Sequence, residues 1–123
     1  MKPWKIIQKL ESNNSRLFKE DVIEESLNDK DFQHGLAMCL DSLVTFGVKQ
    51  VPECNDDGKG LDWKNFCEQA TLLIERERTG HAARDAIIDL MRLATSEQWN
   101  DWYRRILIKD LRCGVSEKTV NNV

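Results

Sequence analysis

Prolines and glycines are scarce in this chain, two and six among 123 residues. With so few breakers and few alternating β-branched runs, the sequence leans towards helix. No apolar stretch comes near the roughly eighteen residues a membrane-spanning helix needs, which excludes such a span. The opening MKPWKIIQKLE turns amphipathic and charged too soon for a signal peptide, so a cytoplasmic location is expected, that of the host cell if the source is viral. The four cysteines, at 39, 54, 67 and 113, include no CxxC pair, and their spacing with the two histidines fits no common zinc framework. Reduced, structural thiols and no bound metal are the expectation. His34 and His81 have no Cys or Ser at a recognised spacing, so no catalytic dyad is legible. The Gly–Lys–Gly at 58–60 lacks the strand and the Ser/Thr of a phosphate loop. Glu53, Asn55, Asp57 and Gly58 fall at early EF-hand positions, but Lys64 stands where the bidentate Glu belongs, which leaves a polar turn.

What is present is charge, unevenly spread. The net charge of −3 does not advertise a nucleic-acid partner. Residues 1–75, however, hold nine Lys/Arg against fourteen Asp/Glu, and residues 76–123 hold nine against seven. Residues 102–118 alone carry five basic and two acidic side chains. Counterion release follows the local patch rather than the whole-chain sum, so the C-terminal half can face DNA.

Hydrophobic spacing predicts an all-α fold, a compact single-domain bundle of about six to seven helices spanning residues 1–123. Pro3 opens a short helix that ends in the SNNS run at 12–15. Others are expected at about 15–28, 30–46, 62–77 and 80–94, with the polar loop GVKQVPECNDDGKG at 47–60 and a short extended piece near Val48–Val51. A sixth helix starts at TSEQ, where Thr95 and Gln98 form a capping box, and runs to about Leu111. Gly114 then acts as a stop, and Ser116 caps a last helix of about eight residues. A helix so short is marginal alone, so the natural polypeptide is expected to continue.

Two places are each open to an ordinary structural reading, an N-cap after a tight turn and a solvated helix face, or to a phosphate contact. In RTGHAARDAI, Thr79 can cap a helix whose first residue is Gly80, leaving N–H groups outward, with Arg76, Arg78 and Arg84 near by. In the sixth helix, Trp99, Tyr103, Ile106 and Asp110 share one face, flanked by Trp102 and Leu107, while Arg105, Lys109 and Arg112 form a solvated or phosphate-facing strip. Asp110 on an apolar face needs a partner, expected to be N–H groups of the following turn. GVSEKTVNNV also has the look of the turn and second helix of a helix-turn-helix regulator. The two packing positions before its glycine would be Asp110 and Lys109, where small and apolar residues belong.

The order of these features resembles the N-terminal DNA-binding domain of ATP-dependent DNA ligases, closest to the compact bacteriophage form. The likeness is carried by Gly35 in FQHGL, the 47–60 loop, ERERTGHAARDAI and YRRILIKDLRCGVSEKTVNNV, of which IKDLRCGVS is the most specific. It implies a non-catalytic domain that holds nicked duplex DNA through phosphates and the minor groove while the parent enzyme seals the nick in replication, repair and recombination. Thr79 and Gly80 match the turn that approaches the backbone, with His81 where Asn is common. Arg112 and Gly114 match a basic loop near the minor groove, and Val115 and Ser116 open the helix behind it. Charge and facing add Arg105, Lys109 and Lys118. The family's Lys-x-Asp-Gly is absent, so no catalytic residue and no cofactor are expected in this chain. ATP and Mg²⁺ are implied for the parent ligase, with its adenylation and OB-fold domains as partners and a monomer as the oligomeric state. A helix-turn-helix regulator or a helical protein-interaction domain remain the alternatives.

Overall fold

The computed structural model describes residues 2–48 and 50–121. Among them are seven helices and no strand. They are α1 (Pro3–Glu11), α2 (Arg16–Ser26), α3 (Lys30–Leu40), α4 (Trp63–Ile74), α5 (Gly80–Leu93), α6 (residues 96–107) and α7 (Glu117–Asn121). The expected all-α bundle is therefore present. The extended piece near Val48–Val51 is not a strand where it is described, and Lys49 within it lies outside the described residues.

Caps set most of the starts. Pro3 occupies the first turn of α1. Ser15, Asp29 and Asp62 accept from the N–H groups of Phe18, Phe32 and Asn65. Thr95 and Gln98 form the reciprocal capping box that their spacing predicts.

The core is centred on α6, whose Trp99, Trp102, Tyr103, Ile106 and Leu107 are all buried. Its middle turn, Trp99–Tyr103, widens into a π-helical turn. Trp102 stacks on Phe32 at 5.6 Å between ring centroids, and Tyr103 on Phe66 at 4.5 Å. Burial of each such ring contributes about 1.5–3 kcal/mol, and good ring geometry adds to that. Gly35 lies directly under the Trp102 indole, so α3 and α6 approach to ring-thickness.

Among its described residues the long segment between α3 and α4 has no ladder of its own, and α6 supplies many of its hydrogen bonds, with the end of α5 holding Gly58 and Gly60. Cys54 exchanges backbone bonds with the Asn100 amide, Trp99 Nε1 donates to the Pro52 carbonyl, and Tyr103 Oη donates to the Leu61 carbonyl. Asp57 accepts from the N–H and hydroxyl of Ser96, which pins the acidic turn to the start of α6.

Two helices stop earlier than their apolar spacing suggests. α3 ends at Leu40, not near residue 46, because Asp41 turns extended and its carboxylate accepts from the Leu43 N–H at 2.9 Å. α6 ends at Leu107, not 111. There Asp110 N–H bonds the Arg105 carbonyl and Lys109 N–H bonds the Ile106 carbonyl, with Lys109 in the left-handed region at φ +59°. α4 ends in the same Schellman pattern, with Arg76 at φ +61°. Both helices thus carry a basic residue where glycine is usual.

Candidate nucleic-acid interface

The two left-handed residues that end α4 and α6 aim their side chains at one target. Arg76 donates to the Thr45 carbonyl and to Thr45 Oγ1, and Lys109 Nζ donates to the carbonyls of Asp41 and Val44. Lys109 is therefore not part of a free phosphate-facing strip, and Arg76 is engaged with Thr45 and the Leu73 carbonyl. Arg105 is also withdrawn from that strip. Its side chain is 12% exposed, paired with Glu11 and Asp101, and it donates to the Leu111 carbonyl. On a helical wheel both residues point outwards; their length lets them fold back onto neighbouring backbone.

Beyond α6 the chain makes a compact basic turn. Asp110 does accept from the Arg112 N–H at 3.0 Å, as its position suggests. It is exposed rather than core-facing, because the helix has already ended. Arg112 sits at φ +54° with its guanidinium half exposed. Lys19 reaches across from α2, 6% exposed, to donate to the Cys113 carbonyl. Leu111 and Cys113 are buried, so alternate residues of this turn anchor it while Arg112 faces out.

At the start of α5, Thr79 holds the N-cap position with extended backbone. Its side chain makes no capping bond there, contrary to expectation, and its carbonyl accepts from Ala82 and Ala83. Gly80 adopts φ +54°, and a Cβ on it would meet nothing within 4 Å. The glycine is thus required by backbone conformation, and the surface over it is open to an approaching ligand. Thr79 and His81 flank it, both exposed.

Gly80 and Arg112, thirty-two positions apart, line one open groove of about 950 Å³. Its floor is Ala83, Ile87 and Ile88 of α5 with Ile108, and the loop residues Gly47, Val48, Gln50, Val51 and Pro52 wall it. Arg84, Arg104 and Arg112 stand along it against one carboxylate, Asp110. Arg104 is partly fixed, donating to the Val51 carbonyl at 2.7 Å with Glu53 4.0 Å away. Neither Arg104 nor the loop wall was legible as part of a site. The sequence shows Arg84 only as a neighbour of Gly80; one helical turn on from that glycine, it shares its face.

Gly114, Val115, Ser116 and Lys118 lie outside this groove. Gly114 has φ +73° beside the Lys19 ammonium, and Val115 packs against the core. Ser116 accepts from Thr119 N–H and caps α7, and Lys118 is exposed on that helix. α7 packs on α2.

The thiols are poorly placed for nucleophilic chemistry. Burial pushes Cys39 up to about 12 and Cys67 up to about 11, and raises Cys113 as well. Thiolate, the reactive form, is thus suppressed at all three near neutral pH. No cluster of three or more metal-ligating side chains occurs among the described residues, and none of their helices is long and apolar enough to cross a membrane. The arrangement is suited to holding an anionic ligand along a groove.

No protein-family profile and no curated protein matches the chain. Solved structures do match it, among them two named Pmar-Lig_Pre. and Pmar-Lig_PreS3. Their sequence identities are 52% and 53%, each with a TM-score of 0.96 over 99% of this chain. This chain spans 29% of the length of each. The likeness relates it, in sequence as well as fold, to part of a larger ligase-named protein.

Proposed function

We propose that this chain is the duplex-DNA-binding, non-catalytic portion of an ATP-dependent DNA ligase of the bacteriophage type. The observation that carries this reading is the shared groove. The Thr79–Gly80 corner and the Arg112 turn, separate in the sequence, face the same channel with three arginines along it. The resemblance of ERERTGHAARDAI and IKDLRCGVS to ligase DNA-binding domains, and the ligase-named structures at about half identity, support the same conclusion.

In this reading phosphates run along the groove. The leading N–H groups of α5 beside Gly80 meet one phosphate, and Arg84 and Arg112 meet its neighbours. The Ser116 and Lys118 side adds a second, peripheral contact. Lys109 and Arg105 hold the surface in shape instead of touching DNA. The domain contributes position only: it keeps both ends of a nick in line and so lowers the entropic barrier to joining. ATP, Mg²⁺ and the lysine that accepts AMP belong to the adenylation domain of the parent enzyme, beside an OB-fold domain.

Fluorescence anisotropy with a labelled nicked duplex tests the reading. Binding should be salt-sensitive and indifferent to sequence, and Arg112→Ala should weaken it and reduce the salt slope by about one. Strong preference for one palindromic sequence would favour a helix-turn-helix regulator. Absence of binding at low salt would leave a protein-interaction domain.

A further inference from the structure

Leu43 is the most exposed large apolar side chain of the described residues, at 90%. It projects from the 41–45 turn, and that turn is held with unusual thoroughness. Asp41 accepts from the Leu43 N–H through its carboxylate and from the Val44 N–H through its carbonyl. Lys109 bridges the carbonyls of Asp41 and Val44, and Arg76 holds Thr45 from the other side. Both basic residues sit in left-handed backbone, a conformation that costs a non-glycine residue stability. Strain of this kind persists where the surroundings over-determine it, and it clusters at functional surfaces. Here two strained helix ends converge on one turn whose only outward apolar group is Leu43.

We propose that Leu43 is an apolar wedge presented to the minor groove of duplex DNA. The inference rests on the DNA-binding reading above and adds a contact to it. Two observations select DNA as the occupant. The turn runs directly into the groove wall: Gly47 lies against the Arg76 guanidinium and, with Val48, lines the channel, and Lys109 is bracketed by the lining residues Ile108 and Asp110. Along the channel that the turn leads into, Arg84, Arg104 and Arg112 outnumber the one lining carboxylate, Asp110, so a polyanion is favoured beside the leucine. The sugar edges of a minor groove offer apolar C–H surface whatever the base sequence, and leucine is among the side chains used as wedges there. Because folding has already fixed the turn, little ordering is left to oppose binding.

The test compares the wild-type chain with Leu43→Ala and Leu43→Met on a labelled nicked duplex across a salt series. Loss of the leucine, which the DNA would cover in the complex, should weaken binding about tenfold. The dependence of log K on log salt should stay unchanged, because an apolar contact releases no counterion. Leu43→Met should retain most of the affinity, since it keeps the volume and apolar character. All three proteins should unfold at the same temperature, as Leu43 makes no core contact. If Leu43→Ala binds as tightly as wild type, or changes the salt slope, the wedge is overturned, and the exposed leucine is left to a protein partner. If the wild-type chain itself does not bind, the DNA-binding reading has failed first, and the wedge falls with it.

Discussion

Lys19 crosses from α2 to donate to the Cys113 carbonyl, and its ammonium occupies the space into which a Cβ on Gly114 would project. The two residues thereby fix the chain between the Arg112 turn and α7. Gly114 also has φ +73°, which an L side chain adopts only with strain.

Gly114→Ala should therefore destabilise the fold by about 1–2 kcal/mol from backbone conformation alone, with a smaller steric addition. The Lys19 side chain is long enough to shift, so the steric part should be relieved by Lys19→Met while the conformational part remains. Urea denaturation of the two single variants and the double variant measures this as a coupling energy. Strict additivity would show that the ammonium and the added methyl do not compete for space.

A second close approach sits in the core. A Cβ on Gly35 would stand 2.5 Å from Trp102 Cη2 and 3.1 Å from Trp63 Cη2, both parts of the aromatic stack. Trp102 is fully buried within the aromatic stack, so α3 and α6 must separate to admit a methyl group. Overpacking of this kind costs about 1–3 kcal/mol. Gly35→Ala should lower the denaturation midpoint accordingly, with loss of near-ultraviolet dichroism from the stacked rings. An unchanged midpoint would mean that the stack is softer than its geometry implies.

The contrast between Gly35 and Lys109 explains how far the fold was legible. Helix positions, the capping box of Thr95 and Gln98, and the buried stripe of Trp99, Tyr103 and Ile106 follow from local spacing, so they could be read directly. The ends of α3 and α6 could not. α6 stops on Lys109 in a left-handed conformation, and lysine carries none of the stop signal that glycine does. Gly114 carries that signal but sits in a later turn. Leu43 continued the apolar spacing of α3, yet the Asp41 turn swings it into solvent. For the site, the Gly80 corner and the Arg112 turn were visible as chemistry. Their convergence with Arg104 and with Gly47, Val48 and Gln50–Pro52 was not, because it depends on tertiary packing. Outward spacing marked Arg105 and Lys109 as surface cations, but it could not show that their heads fold back onto carbonyls and carboxylates.

Acid should loosen the 53–60 turn. The Ser96 N–H, and then its hydroxyl, hold the Asp57 carboxyl below its usual range. A carboxyl lowered in the folded state contributes stability that is present above its unfolded pKa of about 3.9 and is lost as pH falls through the folded value. Asp57→Asn can still accept from Ser96 but carries no charge to titrate. The variant should therefore be less stable than wild type at pH 7, and the gap should close as pH falls below about 4. Glu97, lowered chiefly by its hydrogen bond from Lys5, titrates in the same direction and remains in both proteins. The comparison thus isolates Asp57. Urea midpoints measured from pH 7 down to about 3 provide the check, and a gap that stays constant across that range would remove Asp57 as the source.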